Sequence, residues 1–155
     1  MSGAGIPVEQ VNDFSQLEDR IVELLKAAVA GMSPAVHVLT AADLDGVREA
    51  AQLTPALHVI SDGFRPAEGG YKVASLEHKF YVVAAVRNVA TQRSGAAARR
   101  QAGPLLAKAM SALLSEPLPG AAKPLELAPA PRGRYAGGYF YLPSAWTVET
   151  VFRKL

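Results

Sequence analysis

The sequence predicts an α/β domain, more closely α+β: a mixed, largely antiparallel sheet flanked by two longer helices and one short helix. Three observations carry this expectation. Leu17, Ile21, Leu24, Leu25 and Ala28 recur at helical spacing, and so do Ala98, Ala102, Leu105, Leu106, Ala109, Met110 and Leu113. "HKFYVVAAVRN" (78–88) is apolar on both faces through its middle, as in a central strand covered on both sides. The chain then closes in a run of strand-like pieces set between prolines and glycines, which hairpins satisfy best.

Residues 1–12 read as a loose arm. Ser15 and Glu18 have capping-box spacing and Phe14 is placed as a hydrophobic staple, so an amphipathic helix of about four turns starts here and ends near Gly31 and Pro34. "AVHVL" (35–39) is a short strand. Thr40 and Asp43 can cap a short helix over roughly 41–51, with Leu44, Val47 and Ala51 on one face. "ALHVIS" (56–61) is a second strand, and "DGFRPAEGGYK" (62–72) an exposed loop or wide hairpin. After the central strand, Ser94 can cap a long helix over about 95–114, in which Pro104 predicts a kink or a break. "EPLPGAAKP" (116–124) is a rigid connector. "LEL" (125–127), an irregular segment (129–138), "YFYL" (139–142) and the half-buried strand "AWTVETVFR" (145–153) complete the chain.

With 155 residues the chain fits one domain, able to bury roughly 68–70% of its unfolded surface without a metal or disulfide. It has no cysteine, which excludes a disulfide framework, a thiolate nucleophile and Cys-ligated zinc. Sixteen basic and fourteen acidic residues leave a net charge of +2, with no global field to attract nucleic acid. The longest apolar run, Phe80–Val86, is far shorter than the roughly 20 residues of a membrane helix. The N-terminus lacks the basic and apolar regions of a signal peptide.

No catalytic constellation emerges. His37, His58 and His78 each lie in or beside a strand, but no carboxylate stands at a ligand-like spacing, so they read as strand residues at polar or edge positions. No G-x-S-x-G elbow occurs, and "AEGGYK" lacks phosphate-loop spacing. The arginines are more informative. Arg87, Arg93, Arg99 and Arg100 gather where the central strand ends and the long helix begins; Arg132 and Arg134 flank Gly133, close to Tyr135, Tyr139 and Tyr141. Arginine with tyrosine suits a protein interface, and also single-stranded nucleic acid, and an ordinary solvated face accounts for it equally well. The near-zero net charge favours a protein partner. "PRGRYAGGYFYLP" (131–143) holds four aromatic rings that a monomer has difficulty hiding, which points to a subunit contact. Phe64 and Arg65, in the exposed 62–72 segment, join the expected interface residues.

The helix "FSQLEDRIVELL", the strands "PAVHVL" and "TPALHVI", the long strand "HKFYVVAAVRN", the helix "SGAAARRQAGPLLAKAMSALL" and the closing "WTVETVFRK" follow in an order that resembles the tail terminator-like proteins of tailed bacteriophages and prophages. The similarity spans about residues 14–153. It implies a sheet flanked by helices and assembly into a ring, typically of six subunits, in the virion at the head-proximal end of the tail tube. The implied partners are further copies of the chain, the tail tube protein and the head–tail connector. DNA would pass through the lumen without specific binding, and no cofactor, metal or membrane is involved. The family has no catalytic residues to carry over. Another neck or head–tail adaptor protein is the nearest alternative, and a nucleic-acid-associated module a more distant one. The arm 1–12 and the 62–72 segment are expected to become ordered on assembly.

Overall fold

The computed structural model describes residues 13–42, 46–47, 53–70, 72–87 and 95–154. Among them two helices and six strands follow in the order α1 (Ser15–Val29), β1 (His37–Ala41), β2 (Ala56–Gly69), β3 (Val73–Arg87), α2 (Ala96–Leu113), β4 (Glu126–Ala128), β5 (Arg134–Ala136) and β6 (Tyr139–Arg153). The strands form one mixed sheet ordered β1-β2-β3-β6-β4, with β5 also paired to β6. β1 and β2 run parallel and the remaining pairs antiparallel. The predicted class and both longer helices are therefore present. The short helix expected over 41–51 is not among the described helices. Ala41 closes β1 instead, and residues 43–45 and 48–51 of that span lie outside the described residues. So do the arm 1–12 and Ser94, the expected cap of the long helix.

Each face of the sheet has its own core. α1 turns Leu17, Ile21, Leu25 and Val29 inward at every fourth position, and α2 does the same with Ala98, Ala102, Leu105, Leu106, Ala109 and Leu113. They bury Leu57, Val59, Phe80, Val82, Ala84, Val86, Phe140, Trp146 and Val148 on the sheet. On the opposite face a smaller cluster joins Val47, Ile60, Val83, Ala85 and Tyr141. Val47 belongs to the crossover that a parallel β1–β2 pair requires.

β3, between β2 and β6, is the central strand foreseen, and Val82–Val86 are all buried. It starts earlier than expected, at Val73, because the 62–72 segment is not a loop. β2 runs on to Gly69 and makes a long hairpin with β3, with register shifts between Ser61 and Phe64 and between Pro66 and Glu68. The glycines and the proline sit at these irregularities and at the turn, which is where a strand tolerates them.

Three further expectations are corrected. Ser15 does not cap α1: the N-cap position is Phe14, with no side-chain cap, and the Ser15 amide (3.1 Å) and hydroxyl (2.6 Å) donate to Asp13 Oδ1. Pro104 does not break α2, which continues to Leu113. "YFYL" and "AWTVETVFR" are one strand, β6, passing through Pro143. That proline falls between the stretches paired to β5 (139–141) and to β4 (145–147), so a residue with no N–H sits where the ladder on that side is interrupted. β5 itself was not foreseen. Gly137 and Gly138, both at positive φ, close a two-residue turn between Ala136 and Tyr139, the geometry in which two glycines are favoured.

Candidate interaction surfaces

The expected interface residues separate into two groups at opposite ends of the long strands. At one end lie Arg87, the start of α2 and the β5–β6 hairpin. Arg87 closes β3 exposed and opposite Tyr139. Arg99 donates a hydrogen bond to the Tyr135 hydroxyl (2.9 Å), which donates onward to the Gly95 carbonyl (3.2 Å). The Tyr135 ring stacks on Phe140 with centroids 4.5 Å apart. Gly95 makes this close approach workable: it precedes α2 at φ +60°, and a Cβ there would collide with the Tyr135 ring. The hairpin is thereby clamped to the start of α2. Arg100, Arg132 and Arg134 are exposed around it, and the described ion pairs lie elsewhere, at Arg20–Glu23, Arg65–Glu77 and Lys123–Glu149.

Tyr141 is 7% exposed and packs in the second core with Val83 and Ala85. Strand alternation puts it on the sheet face beside Tyr139, which is only half-buried and 6.4 Å away by ring centroid. Arg93, like Asn88, lies outside the described residues.

At the other end the β2–β3 hairpin extends beyond β1, whose pairing to β2 stops at Ile60. β2 is exposed from Ser61 to Gly69. Arg65 is held by Glu77 across the hairpin (3.0 Å). Phe64 is 53% exposed and caps an aromatic group: its centroid lies 5.5 Å from Phe14 and 5.4 Å from His78, and Phe14 lies 6.2 Å from Phe152. Phe152 and Val73 beside it are also exposed. Phe14 and Phe152 are additions that the sequence did not reveal. Their spacing marks them as helix staple and strand-core residues, and only the docking of the α1 start against the ends of β3 and β6 gathers them beside Phe64. At about 3.3 Å per residue along β6, Tyr139 and Phe152 are roughly 40 Å apart.

The histidines do not converge. His37 is exposed on β1. His58, contrary to the expected polar or edge position, is fully buried on β2, and neither of its ring nitrogens has a hydrogen-bond partner among the described residues. His78 is buried on β3 and shares a 2.8 Å hydrogen bond with the Thr150 hydroxyl. His58 pairs with Val83, an odd number of residues from His78, so the two rings lie on opposite faces. Burial pushes both imidazoles below their ordinary pKa, which keeps them neutral. Among the described residues no group of three or more His, Asp or Glu side chains is placed to hold a metal, and no helix is long and apolar enough to cross a membrane.

Two exposed surfaces of different chemistry, held by a rigid sheet, are what a protein that works by assembly requires. No individually curated protein matches the chain. The family model described as phage tail terminator protein matches residues 13–154, from just before α1 to the residue after β6. This chain belongs to the phage tail terminator protein family, and is a structural component of the phage tail.

Proposed function

We propose that copies of this chain form a ring at the head-proximal end of the tail tube, stopping tube polymerisation and joining the tail to the head–tail connector. The observation that carries the reading is the separation of two unlike surfaces by roughly 40 Å of strand, within a member of this family. A closed ring uses heterologous contacts, in which one patch meets a different patch of the next copy. A two-fold dimer would need one self-complementary patch instead. A basic, tyrosine-bearing end and an apolar, aromatic end suit the first arrangement. The arginine end takes a protein partner rather than DNA, since a net charge of +2 supplies little of the phosphate attraction that dominates nucleic-acid affinity.

Electron microscopy of purified particles, with this chain labelled, tests the proposal. One labelled ring between tube and connector is expected, six copies in number. Labelled rings repeated along the tube would make this a tube protein and sink the proposal, as would a chain that stays strictly monomeric in solution and in the particle.

A further inference from the structure

We infer that Phe64 is a knob that seats in an apolar groove of the next copy, between the end of α1 and the outer face of α2; this inference rests on the ring reading. The knob is built by the backbone. β2 shifts register between Ser61 and Phe64, with Gly63 at φ +77°, and such a bulge re-aims the side chain that follows it. The result is a phenylalanine more than half exposed on an arm free of β1. The groove measures ≈ 650 Å³ and is lined mainly by Met32, Pro34, Val36, Pro55, Pro104 and Leu105, with Gln101 and Lys108 at its polar positions. That volume lies in the range of pockets that enclose organic ligands, so a phenyl ring and its neighbours fit within it.

One chain cannot fill its own groove. Pro55 and Phe64 lie on the same strand line, roughly 30 Å apart at about 3.3 Å per residue. The groove is at the Arg87 end of the sheet, because Ala56 pairs with Ala85, while the knob is at the end where Gly69 pairs with Ala74. A hydrophobic knob and a distant pocket on one molecule give a head-to-tail contact that closes into a ring if the rotation allows it. Around Phe64 the acids Asp62 and Glu77 are matched by Arg65 and Lys79, so the apolar ring rather than net charge carries the contact, with Lys108 at the edge of the groove.

The absence of cysteine makes the test clean. A chain carrying both Phe64→Cys and Ala107→Cys, treated with a maleimide cross-linker about 10 Å long, should give a ladder of multimers up to the wild-type assembly. Phe64→Ala should weaken copy–copy association about 30-fold or more, the effect of truncating an aromatic anchor. Its circular dichroism should stay unchanged. If wild-type rings form but the double-cysteine chain gives no ladder and Phe64→Ala still assembles normally, the knob-in-groove contact is wrong and the ring survives. Cross-links running only from the α2 thiol of the Ala107→Cys substitution to the tube protein would assign the groove to the tube and overturn the inference. A wild-type chain monomeric under every condition removes ring and contact together.

Discussion

His58 provides a sharp test of the second core. Its imidazole is fully buried between the paired residues Leu39 and Val83, and both ring nitrogens lack partners among the described residues. A buried polar group left unpaired costs about 1–3 kcal/mol. Leucine is close to histidine in size, so His58→Leu removes that cost without opening a cavity, and the variant should be more stable by up to about 2 kcal/mol at pH 7.5. The pH dependence adds a second signature. Burial lowers the pKa of His58 from 6.5, so the native state holds it neutral while the unfolded chain takes up a proton below pH 6.5. The associated stability is present above pH 6.5 and is lost as pH falls through that value toward the folded pKa. From pH 7.5 to 5.5 the loss is at most about 1.4 kcal/mol for one such histidine. His58→Leu should lack this loss, so its advantage over the wild type should widen on acidification. The remaining ionisable groups are the same in both proteins, so their contributions cancel. Urea unfolding at pH 7.5, 6.5 and 5.5, at one protein concentration, would measure this through Trp146, the single tryptophan and fully buried. Parallel pH profiles, or a variant less stable than the wild type at neutral pH, would refute the picture of an unpartnered neutral imidazole.

Three further outcomes are expected. Ser144→Ala removes a buried hydroxyl that accepts from Trp146 Nε1 (2.8 Å) and donates to the Val82 carbonyl (2.9 Å); it should cost about 1–3 kcal/mol in urea unfolding and shift the tryptophan emission. Gly95→Ala should displace the Tyr135 ring and strain a left-handed backbone, lowering stability by about 1–3 kcal/mol, with loss of the Arg99–Tyr135 contact visible by crystallography or tyrosine NMR. Arg87→Ala should weaken assembly while leaving the melting temperature of the isolated chain within about 1 °C, since an exposed strand-end side chain carries little folding energy. Normal tail capping by that variant would remove Arg87 from the interface.

Most of the fold was legible because it depends on local periodicity. The four-residue spacing of Leu17, Ile21 and Leu25 and the two-faced apolarity of Val82–Val86 report burial directly, and burial is what shapes those elements. Features that depend on a partner strand were not legible. Pro143 reads as a break until the gap between β4 and β5 shows why it is tolerated. "DGFRPAEGGYK" reads as a loop because its glycines mark bulges that only a paired β3 can absorb. The expected interface residues divide in the same way. Exposure of Arg87, Arg132 and Arg134 follows from residue type, whereas Tyr141 is hidden and Tyr139 half-hidden through alternation against a core that the sequence does not locate.

By itself, then, the sequence determined the two helices, the central strand, the α+β class and the likeness to tail terminators. Each is set by the order and period of neighbouring residues along the chain. The tertiary structure alone decided that Phe14, Phe64 and Phe152 gather at one end and Tyr135 is clamped over Gly95 at the other. Those positions follow from strand register and from where the helices dock on the sheet. Both are properties of contacts between residues far apart in the chain, where local pattern carries no information.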